Sequence, residues 1–207
     1  AGAARLEALV DALVFERVIV PIDVEPDPRV TGVHAGDSGH NPIDFVRVQT
    51  PAGEALAIYS SVRALSAHRP GDRPMALDFR TIGLTALIET GGRVVVNPGT
   101  DAVLLPRPAV AALAQGDQWL PAWRDVALRD LLFDEANAVC SAITDLSITY
   151  AGGGLTRVIV SVERSCFTGA ANASAMKQSL TQALSHVGAN RRLIASADRV
   201  EIAPILA

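Results

Sequence analysis

The run Arg93-Val94-Val95-Val96-Asn97-Pro98-Gly99-Thr100 constrains this chain more than any other stretch, because a β-branched strand stops at residues that cannot extend it. Proline fixes its own φ and steers the preceding Asn97 away from the helical region, while glycine accepts the backbone angles that close such a turn. The segment holds no activated nucleophile, no acid–base pair and no phosphate-cradling glycine pattern. It therefore says how the chain is built and not what chemistry it performs.

Around this punctuation the periodicity assigns most of the first half. Leu6, Leu9, Val10, Leu13 and Val14 recur at helical spacing, which predicts a helix to about residue 15, followed by a strand over 18–22. Residues 23–42, rich in Asp, Pro, Gly and His without a period, read as a long surface loop. Residues 44–50 and 55–59 form a hairpin about Pro51-Ala52-Gly53-Glu54. Ser60 or Ser61 caps a helix to about residue 67, and residues 75–77 make a short strand. Asp78 or Thr81 opens a helix with Ile82, Leu84, Leu87 and Ile88 on its apolar face, ended by Gly91-Gly92. The Val94–Val96 strand follows, and residues 108–114 are helical up to Gly116.

Residues 118–124 read as a junction, with Trp119 and Trp123 on one face if helical and placed to pack between the halves. Beyond it come a helix over 128–143, strands over 147–150 and 157–163 around Gly152-Gly153-Gly154, a helix over 174–187 and a strand over 200–206. Val158, Val160 and Val162 at every second position demand a buried face. The expectation is an α+β protein of two small mixed-sheet domains, 1–117 and 118–207, the second in αββαβ order. With 49% hydrophobic residues but only 4% aromatic, their cores must be filled by aliphatic side chains.

Charge narrows the partners. Eighteen basic and 22 acidic residues give −4 overall, which divides into 10 minus 14 over 1–117 and 8 minus 8 over 118–207. A nucleic-acid binder shows a basic stripe, whereas the longest basic cluster here is Arg191-Arg192, read as a solvated helix end or turn. No apolar run approaches the ~20 residues of a membrane span, so no membrane partner is expected. Lys177 is the sole lysine among many arginines and alanines, which suggests a high-GC bacterial source. Cys140 and Cys166 define no disulfide framework, and no signal peptide is visible, so the expected location is the cytoplasm.

The opening helix and strand through Arg17-Val18-Ile19-Val20-Pro21, the hairpin arm Leu56-Ala57-Ile58-Tyr59-Ser60-Ser61 and Val94-Val95-Val96-Asn97-Pro98-Gly99-Thr100 occur in the order of the SseB family's N-terminal domain, the enhanced serine sensitivity proteins. Residues 5–115 resemble that domain, although the family tends to have Phe-Thr where this chain has Ile58-Tyr59-Ser60-Ser61. The second half resembles the family's C-terminal domain in its αββαβ arrangement. The resemblance implies an α+β module with no established catalytic residues to carry over.

Few residues offer chemistry. His34, Asp37 and His40 could present two imidazoles and a carboxylate to a metal, yet the loop's glycines and the missing fourth ligand favour a solvated segment. Cys166, after a predicted strand, could be a nucleophile helped by Arg164 or a helix start, whereas free cysteine is more often a small buried hydrophobe, as Cys140 should be. His68 and His186 sit near predicted helix ends, where the dipole favours them. Gly152–Gly154 lacks the ending of a phosphate loop, and Asn172-Ala173-Ser174 only matches a glycosylation acceptor. The leading expectation is a non-enzymatic binding or regulatory protein that holds a protein partner or small ligand through residues 23–42, with Asp37 and His40, and through the groove at Asn97, Gly99 and Thr100. No cofactor or metal is expected. The alternatives are a hydrolase or transferase using Cys166, with His186 as base, and a self-associating subunit using the tryptophans and residues 200–206.

Overall fold

The computed structural model describes residues 2–22, 45–168 and 170–207, the side chains of 170–172 excepted. His34, Asp37 and His40, with the rest of the 23–42 loop, lie outside the described residues, as does the Asn172 side chain. The chain divides into two compact units, Ala8–Asp117 and Ala1–Glu7 with Gln118–Ala207, so the boundary falls inside the first helix, α1 (Gly2–Leu13).

In the N-terminal unit, β1 (Arg17–Ile22) pairs antiparallel with β4 (Arg73–Asp78). A four-stranded mixed sheet runs β2 (Arg47–Thr50), β3 (Gly53–Ile58), β5 (Val94–Val96), β6 (Val103–Leu105). The hairpin β2–β3 and the pair β5–β6 are antiparallel, while β3 and β5 are parallel in the register Leu56 to Val94, Ala57 to Val95 and Ile58 to Val96. Parallel neighbours need a crossover, and here α2 (Val62–His68), β4 and α3 (Phe79–Glu89) supply it. Burial on both faces explains why β5 is an unbroken valine run instead of an alternating strand. Ala57, Val95 and Leu104 meet Leu65 of α2, and Leu56, Ile58, Val94 and Leu105 point the opposite way, also buried. α3 packs on α4 (Arg107–Gln115), and the contact is close enough that a methyl group on Gly83 would lie 3.0 Å from Ala114 Cβ. Strand β6 has no sequence forecast, because three residues between Ala102 and Pro106 are too short to display a period and only pairing with β5 defines them.

The C-terminal unit sets β7 (Ile143–Gly152), β8 (Leu155–Val162) and β9 (Arg199–Leu206) in that order, β7–β8 antiparallel and β8–β9 parallel. Thr156, Val158, Val160 and Val162 of β8 form the expected buried face. Against the core pack α5 (Val126–Val139) and α6 (Ala170–Ala189), which supply Leu128, Leu132, Ala136, Ala183 and Val187. The helix expected to run to residue 143 ends at Val139, because Ile143 is needed opposite Val162 and Cys140–Ala142 make the turn into the strand. Residues 118–124 form turns and not helix, and the tryptophans still meet edge to face at 5.6 Å, with Trp123 against Tyr150 at 5.0 Å. A short 3-10 turn (Arg164–Phe167) and a helix, α7 (Arg191–Ser196), extend the expected αββαβ order.

Arg191 and Arg192 are exposed at the start of α7, a solvated helix end as expected, and Arg192 has a partner besides. Asn190 caps α7, and Arg192 reaches back to both carboxylate oxygens of Asp125 at 2.9 and 2.8 Å. Asp125 is itself the N-cap of α5, accepting from Leu128 N at 3.0 Å, and is 9% exposed. One carboxylate thus satisfies a helix start and a guanidinium 67 residues away, which no local pattern could announce. Asp125→Ala should lower the unfolding free energy by about 1–2 kcal/mol through the lost cap, seen as a lower urea midpoint. Arg192→Ala, at a half-exposed side chain, should cost less.

Glu7 accepts from Trp123 Nε1 at 2.6 Å and from the Arg124 guanidinium at 3.1–3.2 Å. The Trp123 hydrogen bond, with help from Arg124 and against partial desolvation, holds its carboxyl below the ordinary value of 4.5. A lowered folded value means that the stabilisation is fully present above the ordinary value of 4.5 and is lost as pH falls through the folded value. The stability difference between wild type and Glu7→Gln should therefore hold from neutral pH down toward 4.5 and shrink as pH falls below it, in parallel urea titrations.

Candidate functional site

Parallel β3 and β5 end side by side, so the segments leaving their carboxyl ends, 59–61 and 97–101, come together in the N-terminal unit. Asn97 N donates to Ile58 O at 2.8 Å, prolonging the ladder by one bond beyond the strands. Asn97 then takes φ +52, among the described residues the sole non-glycine with positive φ. Asparagine tolerates that region better than most side chains, and its own amide contributes to holding it there. Oδ1 accepts from Ser60 N at 2.9 Å, and Nδ2 donates to Ser60 Oγ at 3.0 Å. Thr100 Oγ1 closes the turn by donating to Asn97 O at 3.3 Å.

Gly99, at φ +88, lies directly beneath the His68 imidazole, where a Cβ would stand 2.2 Å from His68 Cδ2. His68 is in turn placed by the helix that Ser61 caps, Ala64 N donating to Ser61 Oγ at 3.1 Å. Its Nδ1 is 2.8 Å from the hydroxyl of Tyr59, which is wholly buried. Burial pushes the Tyr59 phenol above its usual range, with Arg69 opposing and Asp72 adding to the effect, so the phenol stays protonated at neutral pH. The result is an exposed rim of Ser60, Ser61, His68, Gly99 and Thr100 above a rigid floor of Tyr59 and Pro98.

The structure thus brings Asn97, Gly99 and Thr100 together with Ser60 and His68, two residues that the sequence reading did not attach to the turn. Ser60 and Ser61 figured there as helix caps and as the end of the hairpin arm, and His68 as a helix-end residue. Their positions follow from β3 lying beside β5, for which adjacent parallel strands, had they been recognised, would have been the signal. Asp37 and His40 lie outside the described residues. Among the described residues, no group of three or more His, Cys, Asp or Glu is placed to hold a metal ion.

Cys166 is half-buried in the 3-10 turn and lines a surface depression with Met176 and Ser179 of α6. His186 follows Ser179 by seven residues, about 10 Å farther along the helix axis, so the structure does not join Cys166 and His186 as nucleophile and base.

The model of the SseB protein N-terminal domain matches residues 1–112. The chain belongs to the SseB family. No curated protein and no solved structure matches it. In this SseB chain the matched span contains every residue of the β3–β5 site, and the resemblance drawn from the Val94–Thr100 run holds. No described helix is long and apolar enough to cross a membrane.

Gly99→Ala should destabilise the N-terminal unit by at least about 1 kcal/mol, since alanine meets both an unfavourable φ and the imidazole. Removing the ring first, with His68→Ala, should reduce that penalty in a double-mutant cycle read by thermal unfolding. Equal penalties in both backgrounds would place the whole effect in the backbone.

Proposed function

We propose that this SseB protein is a binding or regulatory protein, without catalysis of its own, that holds a protein partner or small ligand at the segments following β3 and β5. The observation that carries this reading is Asn97, kept at φ +52 and tied by its side chain to Ser60. A strained non-glycine residue fixed at the carboxyl ends of adjacent parallel strands marks the place where open sheets of this kind receive ligands. The rim offers hydroxyl, amide and imidazole groups, suited to polar recognition by hydrogen bonds. Asp37 and His40 join the proposal as the contribution of the 23–42 loop, and the neutral-to-acidic charge of both halves supports partners other than nucleic acid. A bacterial cytoplasmic setting and a division into domains 1–117 and 118–207 belong to the same proposal.

The test is affinity enrichment from the native cytosol with wild type, Asn97→Ala/Thr100→Val and Cys166→Ser baits, each first shown to be folded by circular dichroism. Recovery of a defined partner or metabolite by wild type and Cys166→Ser, with loss of about tenfold or more in Asn97→Ala/Thr100→Val, is expected, equivalent to roughly 1.4 kcal/mol of lost binding. Turnover of a recovered metabolite that stops in Cys166→Ser would overturn the reading.

A further inference from the structure

Just past the last turn of α1, the N-terminal unit leaves large apolar side chains in water. Phe15 is 88% exposed, and its neighbour Val14 is exposed as well. Both border a depression of about 210 Å³ that is also lined by the nearly buried Leu13, Phe79 and Leu113. The apolar surface continues along α3, because Arg80 at the depression, Leu84 and Ile88 follow one another four residues apart and share a helix face, with Ile88 86% exposed. Leu13 to Asp117 all fall in the one unit.

The same depression is negative. α1 and α4 both end there, and neither has a basic residue in its last turn to offset the partial negative charge of a helix carboxyl end. Glu16, Asp78 and Asp117 add three carboxylates. Asp78 is met by Arg17 at 3.6 Å and stands at the positive start of α3, whereas Glu16 and Asp117 have no ion-pair partner among the described residues. Arg80 is the one cation among the lining residues, so negative charge remains in excess beside the apolar wall.

We infer that this depression and the α3 stripe form a docking surface for a basic amphipathic helix of a partner protein. A lysine or arginine of that helix lays its aliphatic stem against Phe15 and Val14 and carries its charge toward Glu16 and Asp117, while apolar residues cover Leu84 and Ile88. The volume is below the roughly 300–1,000 Å³ of small-molecule pockets and suits a single side chain. The carboxylates are not grouped to hold a metal ion. A helix face has its backbone groups bonded internally, so α3 offers an incoming chain side chains to pack on and no ladder to join. The excess negative charge repels a nucleic acid or an anionic lipid surface. This surface shares no residue with the segments following β3 and β5 and stands independently of the proposed function.

Full-length protein is titrated with a fluorescently labelled amphipathic helical peptide of leucine and lysine, read by anisotropy at low and raised salt, against the same pattern with glutamate for lysine or serine for leucine. Wild type should bind the leucine and lysine peptide and neither control, and more weakly at raised salt. Phe15→Ser and Glu16→Gln/Asp117→Asn should each weaken binding about fivefold or more. Asp134→Asn/Asp145→Asn, which removes two exposed charges from the C-terminal unit, should leave it unchanged. Every substituted side chain is exposed, and unchanged circular dichroism establishes that the variants fold. Failure of wild type to bind overturns the assignment. So does wild-type affinity in Phe15→Ser, or equal weakening by the C-terminal charge variant, either of which would reduce the contact to unspecific attraction. A wild-type dimer in sedimentation that Phe15→Ser converts to monomer would make a second copy of the chain the occupant and overturn it too.

Discussion

The N-terminal unit depends on the three-residue parallel pairing of Leu56, Ala57 and Ile58 with Val94, Val95 and Val96. Short as it is, this pairing is buried on both faces, and each strand also holds an antiparallel neighbour on its other edge. A slip of one residue would carry every side chain of β5 to the opposite face. The all-valine composition of β5 would tolerate the exchange on its own, but Asn97 does not. Its backbone bond to Ile58 O and its side-chain bonds to Ser60 exist in one register only. The residue that ends the strand therefore also fixes its alignment, and the same bonds set the geometry of the candidate binding rim.

In that rim, conformational strain and close packing support each other. Asn97 and Gly99 both hold positive φ, and the space above Gly99 is filled by an imidazole that the buried Tyr59 hydroxyl positions. The polar groups at the surface are thus carried on a floor with little freedom to rearrange, which reduces the entropy that ligand binding must overcome.

The C-terminal unit meets a different problem, since two helices must be fastened over a three-stranded sheet. Asp125 links the starts of α5 and α7 through one carboxylate, and Glu7 binds Trp123 and Arg124 where no helix orders residues 118–124. At the sheet edge, Ala207 N donates to Val162 O of β8 and Ala207 O accepts from Arg164 N just beyond that strand, so by alternation Pro204 falls among the residues whose amides face away from β8. Proline there removes a donor from the free edge, which disfavours strand addition to residues 200–206.

Helix and strand identities were legible wherever a period ran long enough, as in Leu6–Val14 and in Val158, Val160 and Val162, because local stereochemistry and burial of a single face suffice to write them. The turn at Asn97-Pro98-Gly99 was legible for the same reason, its φ requirements being local. β6, the Arg192–Asp125 bond and the nearness of His68 to Gly99 were not, since each depends on residues distant in the chain. The sequence by itself determined the elements whose periods are long enough to read, the α+β class and the family. Tertiary structure alone decided which strand ends became neighbours, because pairing across the sheet is selected by the shared burial of both faces and leaves no mark on either segment alone.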